Sequence, residues 1–149
     1  MRLTQHTDYA FRMLMYAALR APALTTVGEV AGAFRISATH LNKVAQTLAA
    51  HGYLETIRGR SGGLRLRRAP ESIHLGRVAA ITEPDFQMAP CVETSGKKCP
   101  VYEPCVLRVV LTNSANAFLS ELDKWTLADL IEHRKPLLVA IDTAGVSRE

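Results

Sequence analysis

Between Val27 and Leu66 the apolar residues change period, and the change falls across a basic, glycine-rich turn. Up to Ala50 they recur three and four apart, as on one face of a helix. Val30, Ala31 and Phe34 make one inward stripe; Leu41, Val44, Ala45 and Leu48 make a second. Thr25-Thr26 offers a cap for a helix from Val27 to about Phe34, and Ser37 an N-cap for a longer one to about Ala50, ended by Gly52. From Tyr53 the pattern alternates, first Tyr53-Leu54-Glu55-Thr56-Ile57 and then Leu64-Arg65-Leu66, either side of Arg58-Gly59-Arg60-Ser61-Gly62-Gly63. Alternation broken by glycines that accept positive φ reads as a hairpin. Two short helices, a tight turn between them and a basic hairpin behind them give the order of a winged helix-turn-helix.

Charge supports that reading. Residues 1–80 carry eleven Lys/Arg against four Asp/Glu, net +7, and residues 81–149 carry seven against ten, net −3, within an overall +4. A basic front half is the footprint of a polyanion-binding surface. The longer helix would enter the major groove of double-stranded DNA with Ser37, Thr39, His40, Asn42 and Lys43 at base edges. Asn42 suits adenine, and Lys43 guanine or a phosphate. Arg58, Arg60 and Arg65 on the hairpin suit phosphates or a narrow minor groove, where they supply affinity and salt dependence.

Ahead of this unit a helix is expected from about Asp8 to Leu19, ending near Pro22. Its apolar run is interrupted by Arg12 and preceded by Asp8, unlike a secretory signal, and no stretch approaches the ~18 apolar residues of a bilayer span. The expected location is the cytoplasm, with no membrane partner. Behind the hairpin, Ser72 to about Glu83 reads as a short helix and Cys105 to Asp123 as a long one. The long helix carries Leu107, Leu111, Ser114, Ala115, Phe118 and Leu122 on a stripe that a second copy would bury. Leu127–Glu132 closes the helical part. The expected division is a winged helix-turn-helix at 1–83, a cysteine-rich loop at 84–104, a dimerisation helix and short C-terminal helix at 105–135, and a flexible tail at 136–149. The fold class is mainly α with a small β-hairpin wing, assembled as a homodimer that reads palindromic half-sites.

Cys91, Cys99 and Cys105 follow the pattern C-x7-C-x5-C. An odd number of thiols in a reducing compartment points to ligands rather than disulfides. The C-x2–4-C knuckle of structural zinc sites is absent, while well-spread thiolates suit an iron–sulfur cluster. A zinc-stabilised DNA-binding protein remains a rival reading. An enzyme or electron carrier is disfavoured: there is no fourth cysteine, no nucleotide-binding glycine motif and no nucleophile–base pair.

The opening Leu3-Thr4-x-x-Thr7-Asp8-Tyr9, the turn Arg58-Gly59-x-x-Gly62-Gly63-Leu64-Arg65-Leu66 and the three-cysteine loop together resemble the Rrf (IscR/NsrR) family of iron–sulfur winged-helix regulators. The segment Phe118-Leu119-x-Glu121-Leu122-Asp123-x-x-Thr126-Leu127-Ala128-Asp129-Leu130 is similar to the NsrR-type, nitric-oxide-sensing branch. IscR-type members place a histidine ligand three residues after the third cysteine, and here that position is Arg108. The resemblance to the NsrR type therefore implies a cluster, [4Fe-4S] with [2Fe-2S] as the alternative, held by Cys91, Cys99 and Cys105 of one chain and completed by Asp8 of the other. His6, His74 and Glu93 are outside candidates, and the Cys91–Cys99 gap is longer than the family's usual spacing. The implied function is a cluster-dependent repressor of detoxification genes that nitric oxide relieves through the iron on its hard, weak carboxylate ligand. An iron–sulfur or redox-responsive regulator of the same family is the alternative.

Overall fold

The structure is a computed structural model that describes residues 2–84, 86 and 99–146. Helix α1 (Gln5–Arg20) starts three residues before the expected Asp8, because the Thr4 hydroxyl caps it by accepting from Thr7 N–H at 3.4 Å. Thr4 in turn donates its backbone N–H (2.8 Å) and hydroxyl (3.1 Å) to the Glu83 carboxylate, which fastens the start of α1 to a residue 79 positions on. Ala10, Met13, Leu14, Ala17 and Ala18 put one face of α1 into the core.

Helix α2 (Val27–Phe34) opens on a capping box: Thr26 caps the Glu29 amide, and the Glu29 carboxylate accepts from Thr26 N–H and hydroxyl. It ends at Arg35, a non-glycine residue in the left-handed region at φ 55°. Helix α3 (Ala38–Ala50) buries Leu41, Val44, Ala45 and Leu48, the stripe expected of it. Ser37 stands at its N-cap but makes no side-chain capping bond there.

Strands β1 (Leu54–Ile57) and β2 (Gly63–Leu66) pair antiparallel, Leu54 opposite Leu66 and Glu55 opposite Arg65. Gly59, at φ 117°, makes the turn that a side chain would strain. The winged helix-turn-helix is thus present in the expected order.

Beyond the wing the expected helix from Ser72 is shorter. A 3-10 turn (Pro70–Ser72) leads into α4 (Leu75–Thr82). The delay has a cause at long range: Ile73 to Leu75 pairs with Trp125 to Leu127, through Leu127 N–H to Ile73 O (2.8 Å) and Leu75 N–H to Trp125 O (2.9 Å). Helix α5 (Val106–Leu122) lies one residue inside the expected bounds at each end, with Cys105 and Asp123 as its caps, and α6 is the short helix Leu127–Leu130, two residues shorter than expected.

The tail is a correction. Residues expected to be loose beyond Pro136 form α7 (Arg134–Val146), with Ile141 buried and Leu137 and Leu138 packed against the core. Its packing partner is α2. The Arg134 guanidinium donates to the C-terminal carbonyls of α1 at Ala18 (3.3 Å), Leu19 and Ala21 (3.3 Å), and Arg20 pairs with Asp142. Pro136 sits in the first turn of α7, where its missing N–H costs no hydrogen bond, so it starts a helix rather than ending one.

Candidate nucleic-acid interface and thiol site

The outer face of α3 presents Ser37, Thr39, His40, Asn42 and Lys43, all exposed, while the opposite face is in the core. The structure therefore brings together the five side chains proposed from sequence for the groove. Two neighbours from α1 restrict this face. The Tyr9 ring stacks on His40 with centroids 6.5 Å apart. The Thr47 hydroxyl donates to Lys43 O at 3.2 Å, so its oxygen accepts from His6 Nε2–H, also at 3.2 Å. Gln5, His6, Tyr9, His40 and Lys43 line a concavity of about 200 Å3 at this junction. His6 is thereby a brace between α1 and α3.

On the wing, Arg58 and Arg60 are exposed and have no side-chain partner among the described residues. Arg65 differs: it faces Glu55 across the ribbon and pairs with it at 3.0 Å. Arg60→Ala should therefore weaken binding to all duplex DNA and flatten the dependence of log K on log salt by about one unit. A loss confined to one sequence, measured by titration at several salt concentrations, would contradict a phosphate contact.

Cys99 and Cys105 are free thiols, both half-buried. Cys99 O accepts from Tyr102 N–H at 3.1 Å, closing a turn between them, and Cys105 is the residue before the first turn of α5. Arg108 lies with its guanidinium carbon 4.5 Å from the Tyr102 ring centre. Its Nε is buried with no hydrogen-bond partner among the described residues. Cys91 and Glu93 lie outside the described residues. Among the described residues no group of three or more His, Cys, Asp or Glu is gathered as for a metal ion.

Asp8 stands in the first turns of α1 and is held by Arg12 one turn on, Nε to Oδ1 at 3.1 Å and Nη2 to Oδ2 at 3.0 Å. Arg12 also lies 5.8 Å from the Phe34 ring centre, linking Asp8 to the end of α2. Asp8 lines a concavity of about 370 Å3 with Arg2, Leu3, Thr4, Gln5 and Phe11. The Asp8–Arg12 pair was legible as an i,i+4 spacing. His74, by contrast, is committed elsewhere, its Nδ1 2.9 Å from Asp123 O.

This arrangement defines a winged helix-turn-helix DNA-binding regulator. The sequence matches the Rrf2 family, described as iron-dependent transcriptional regulators, over residues 3–133. The chain belongs to that family. It is 40% identical over 139 residues to the HTH-type transcriptional regulator NsrR of Bacillus subtilis, covering 93% of this chain and 95% of that protein. With the regulator of the same name from Geobacillus kaustophilus the identity is 42% over 138 residues, 92% and 94% of the two chains. The fold is shared with CymR, the global cysteine regulator of B. subtilis (TM-score 0.70, 21% identity, 89% and 98% covered), and with T. potens IscR (TM-score 0.69, 19% identity, 92% and 90% covered). These relatives are regulators, not enzymes, and no described helix is long and apolar enough to cross a membrane.

Proposed function

We propose that the chain acts as a homodimeric, cytoplasmic repressor whose hold on palindromic operator DNA depends on an iron–sulfur cluster and is relieved by nitric oxide. The observation that carries this reading is the identity of 40–42% with regulators named NsrR along more than nine-tenths of the chain. The residues fit the group. Among the described residues Cys99 and Cys105 are unpaired sulfur donors, and Arg108 Nε–H is a buried donor without a partner that a thiolate or sulfide would satisfy. Cys91, Cys99 and Cys105 would hold the cluster with Asp8 of the second copy, of [4Fe-4S] type in preference to [2Fe-2S]. When bound, it supplies iron that reacts with nitric oxide.

The protein's own residues would do the rest. Arg12 can keep one Asp8 oxygen while the other turns to a ligand, and through Phe34 it sits against the end of the helix that precedes α3. Loss of the Asp8 tie then changes the seating of the helix-turn-helix. A second copy is supported by α5, whose N-terminal half leaves Val106 (72%), Leu107 (60%), Val109 (50%) and Val110 (51%) exposed. Its C-terminal half is already engaged: Ala115 is buried, and Phe118 meets Phe86 with ring centroids 6.3 Å apart. Of the expected stripe only Leu107 and Ser114 are exposed; the other open apolar residues, Val106, Val109 and Val110, lie off it, next to Cys105.

The deciding experiment is strictly anaerobic purification with iron and sulfide assay, then an absorption titration with nitric oxide alongside DNA binding. About four irons and four sulfides per chain, bleached in step with loss of operator binding, is the expected result. Zinc, or no metal under exclusion of oxygen, would defeat the cluster reading. Asp8→Ala should leave a cluster bound but alter its lifetime in air or its rate of reaction with nitric oxide. Unchanged rates would remove Asp8 from the ligand set.

A further inference from the structure

A two-stranded ribbon is marginally stable alone in water, so the wing must be held by its surroundings. Leu54 and Leu64 anchor it in the core, Tyr53 N–H donates to Leu48 O of α3 at 2.9 Å, and two further ties reach it from either side. On one side Thr25 pairs with Leu64, N–H to O at 2.9 Å and O to N–H at 2.6 Å, which joins β2 to the segment that caps α2. On the other side, just past β2, the Arg68 guanidinium donates to the His51 carbonyl at 3.1 Å. It also lies 4.7 Å from the centre of the Tyr53 ring. His51 is the C-cap of α3, so the acceptor belongs to the end of the recognition helix where carbonyls lack helical partners and negative charge accumulates. Gly52 follows at φ 71°, and a Cβ there would meet Arg68 Nη2 at 3.4 Å; the guanidinium packs against the space the glycine leaves.

The wing cations therefore fall into two groups. Arg58, Arg60 and Arg67 are exposed with no side-chain partner among the described residues. Arg65 is paired with Glu55, and Arg68 is spent on the recognition helix. The sequence shows Arg65, Arg67 and Arg68 as one basic run and cannot separate them.

We infer that Arg68 is a positioning residue: it fixes the angle between the wing and α3, so that both meet DNA together, and does not itself hold a phosphate. Without this tie the wing keeps its core anchors but not its fixed angle to α3, and fixing that angle at the moment of binding is subtracted from affinity. The inference rests on the DNA-binding fold and not on the cluster.

The test uses the full chain, anaerobically, with a duplex selected by this protein from a random library and a scrambled duplex of equal length. Binding is followed across salt concentrations well below each variant's melting temperature. Arg68→Ala should weaken binding to the selected duplex about three- to tenfold, leaving its salt slope and the binding of the scrambled duplex unchanged. Arg68→Lys should behave like Arg68→Ala, because an ammonium keeps the charge but loses the planar stack and fork. Arg67→Ala, as the contrast, should lower the slope by about one on both duplexes. Recovery in Arg68→Lys together with a reduced slope in Arg68→Ala would make Arg68 a phosphate contact and overturn the inference. So would parental affinity in both Arg68 variants. A parent chain that prefers neither duplex would overturn sequence-specific recognition itself.

Discussion

Cys99→Ala is expected to abolish iron and sulfide binding and, with them, operator binding, while the circular dichroism spectrum and melting temperature stay near those of the parent. The separation of the two effects follows from where Cys99 sits. It is half-buried, lies in a turn closed by its own carbonyl and the Tyr102 amide, and belongs to no part of the hydrophobic core. Truncating it leaves no core cavity, so the destabilisation should be below about 1 kcal/mol. A cluster left with two thiolates and a carboxylate loses one of its strong, soft ligands. If the cluster holds the dimer in its DNA-binding form, even 1.4 kcal/mol of lost coupling weakens binding about tenfold. Iron and sulfide assays with anaerobic operator titration check both halves. A Cys99→Ala chain that binds its operator like the parent would mean that the thiols are not the switch.

Gly76→Ala should have the largest effect on stability. Gly76 is near the start of α4, where it passes the end of α5, and its backbone dihedrals are open to any residue. The constraint is space: a Cβ would fall 2.5 Å from Leu119 O, 2.7 Å from Asp123 Cβ and 2.8 Å from Asp123 N. Two of these atoms are backbone and cannot rotate away. Comfortable contact needs about 3.5 Å or more, so α4 and α5 would have to separate by roughly 1 Å. That would strain Arg77 N–H to Asp123 Oδ1 (3.0 Å) and His74 Nδ1 to Asp123 O (2.9 Å). Overpacking costs about 1–3 kcal/mol and outweighs the gain of up to about 1 kcal/mol from alanine's helix propensity. A fall of roughly 5 °C in the melting temperature is the expected reading. A Tm within a degree of the parent's would show that the two helices accommodate a methyl group. Because α5 carries Cys105 at its start, cluster retention should suffer as well.

How much of this was legible beforehand depends on the range of the interactions involved. The two helices of the DNA-binding unit, the ribbon behind them and the bounds of α5 follow from periodicity, caps and glycines, which act over a few residues. The exposed set Ser37, Thr39, His40, Asn42 and Lys43 follows too, since burying Leu41, Val44 and Leu48 leaves the opposite face outward. The tail was misread because Pro136 carries the same local signal whether it ends one segment or starts a helix. Only the surface of α2 and the carbonyls of Ala18, Leu19 and Ala21 decide between them.

The sequence by itself determined the winged helix-turn-helix, the basic half of the charge and the spacing of the three thiols, all properties of neighbouring residues. Tertiary structure alone decided that α7 docks on α2, that a side chain at Gly76 would meet the end of α5, and that Arg68 bonds the end of α3 while Arg60 has no side-chain partner among the described residues. Each of these turns on which distant backbone atoms meet a side chain, and a side chain's type does not encode that meeting until the core has brought the segments together.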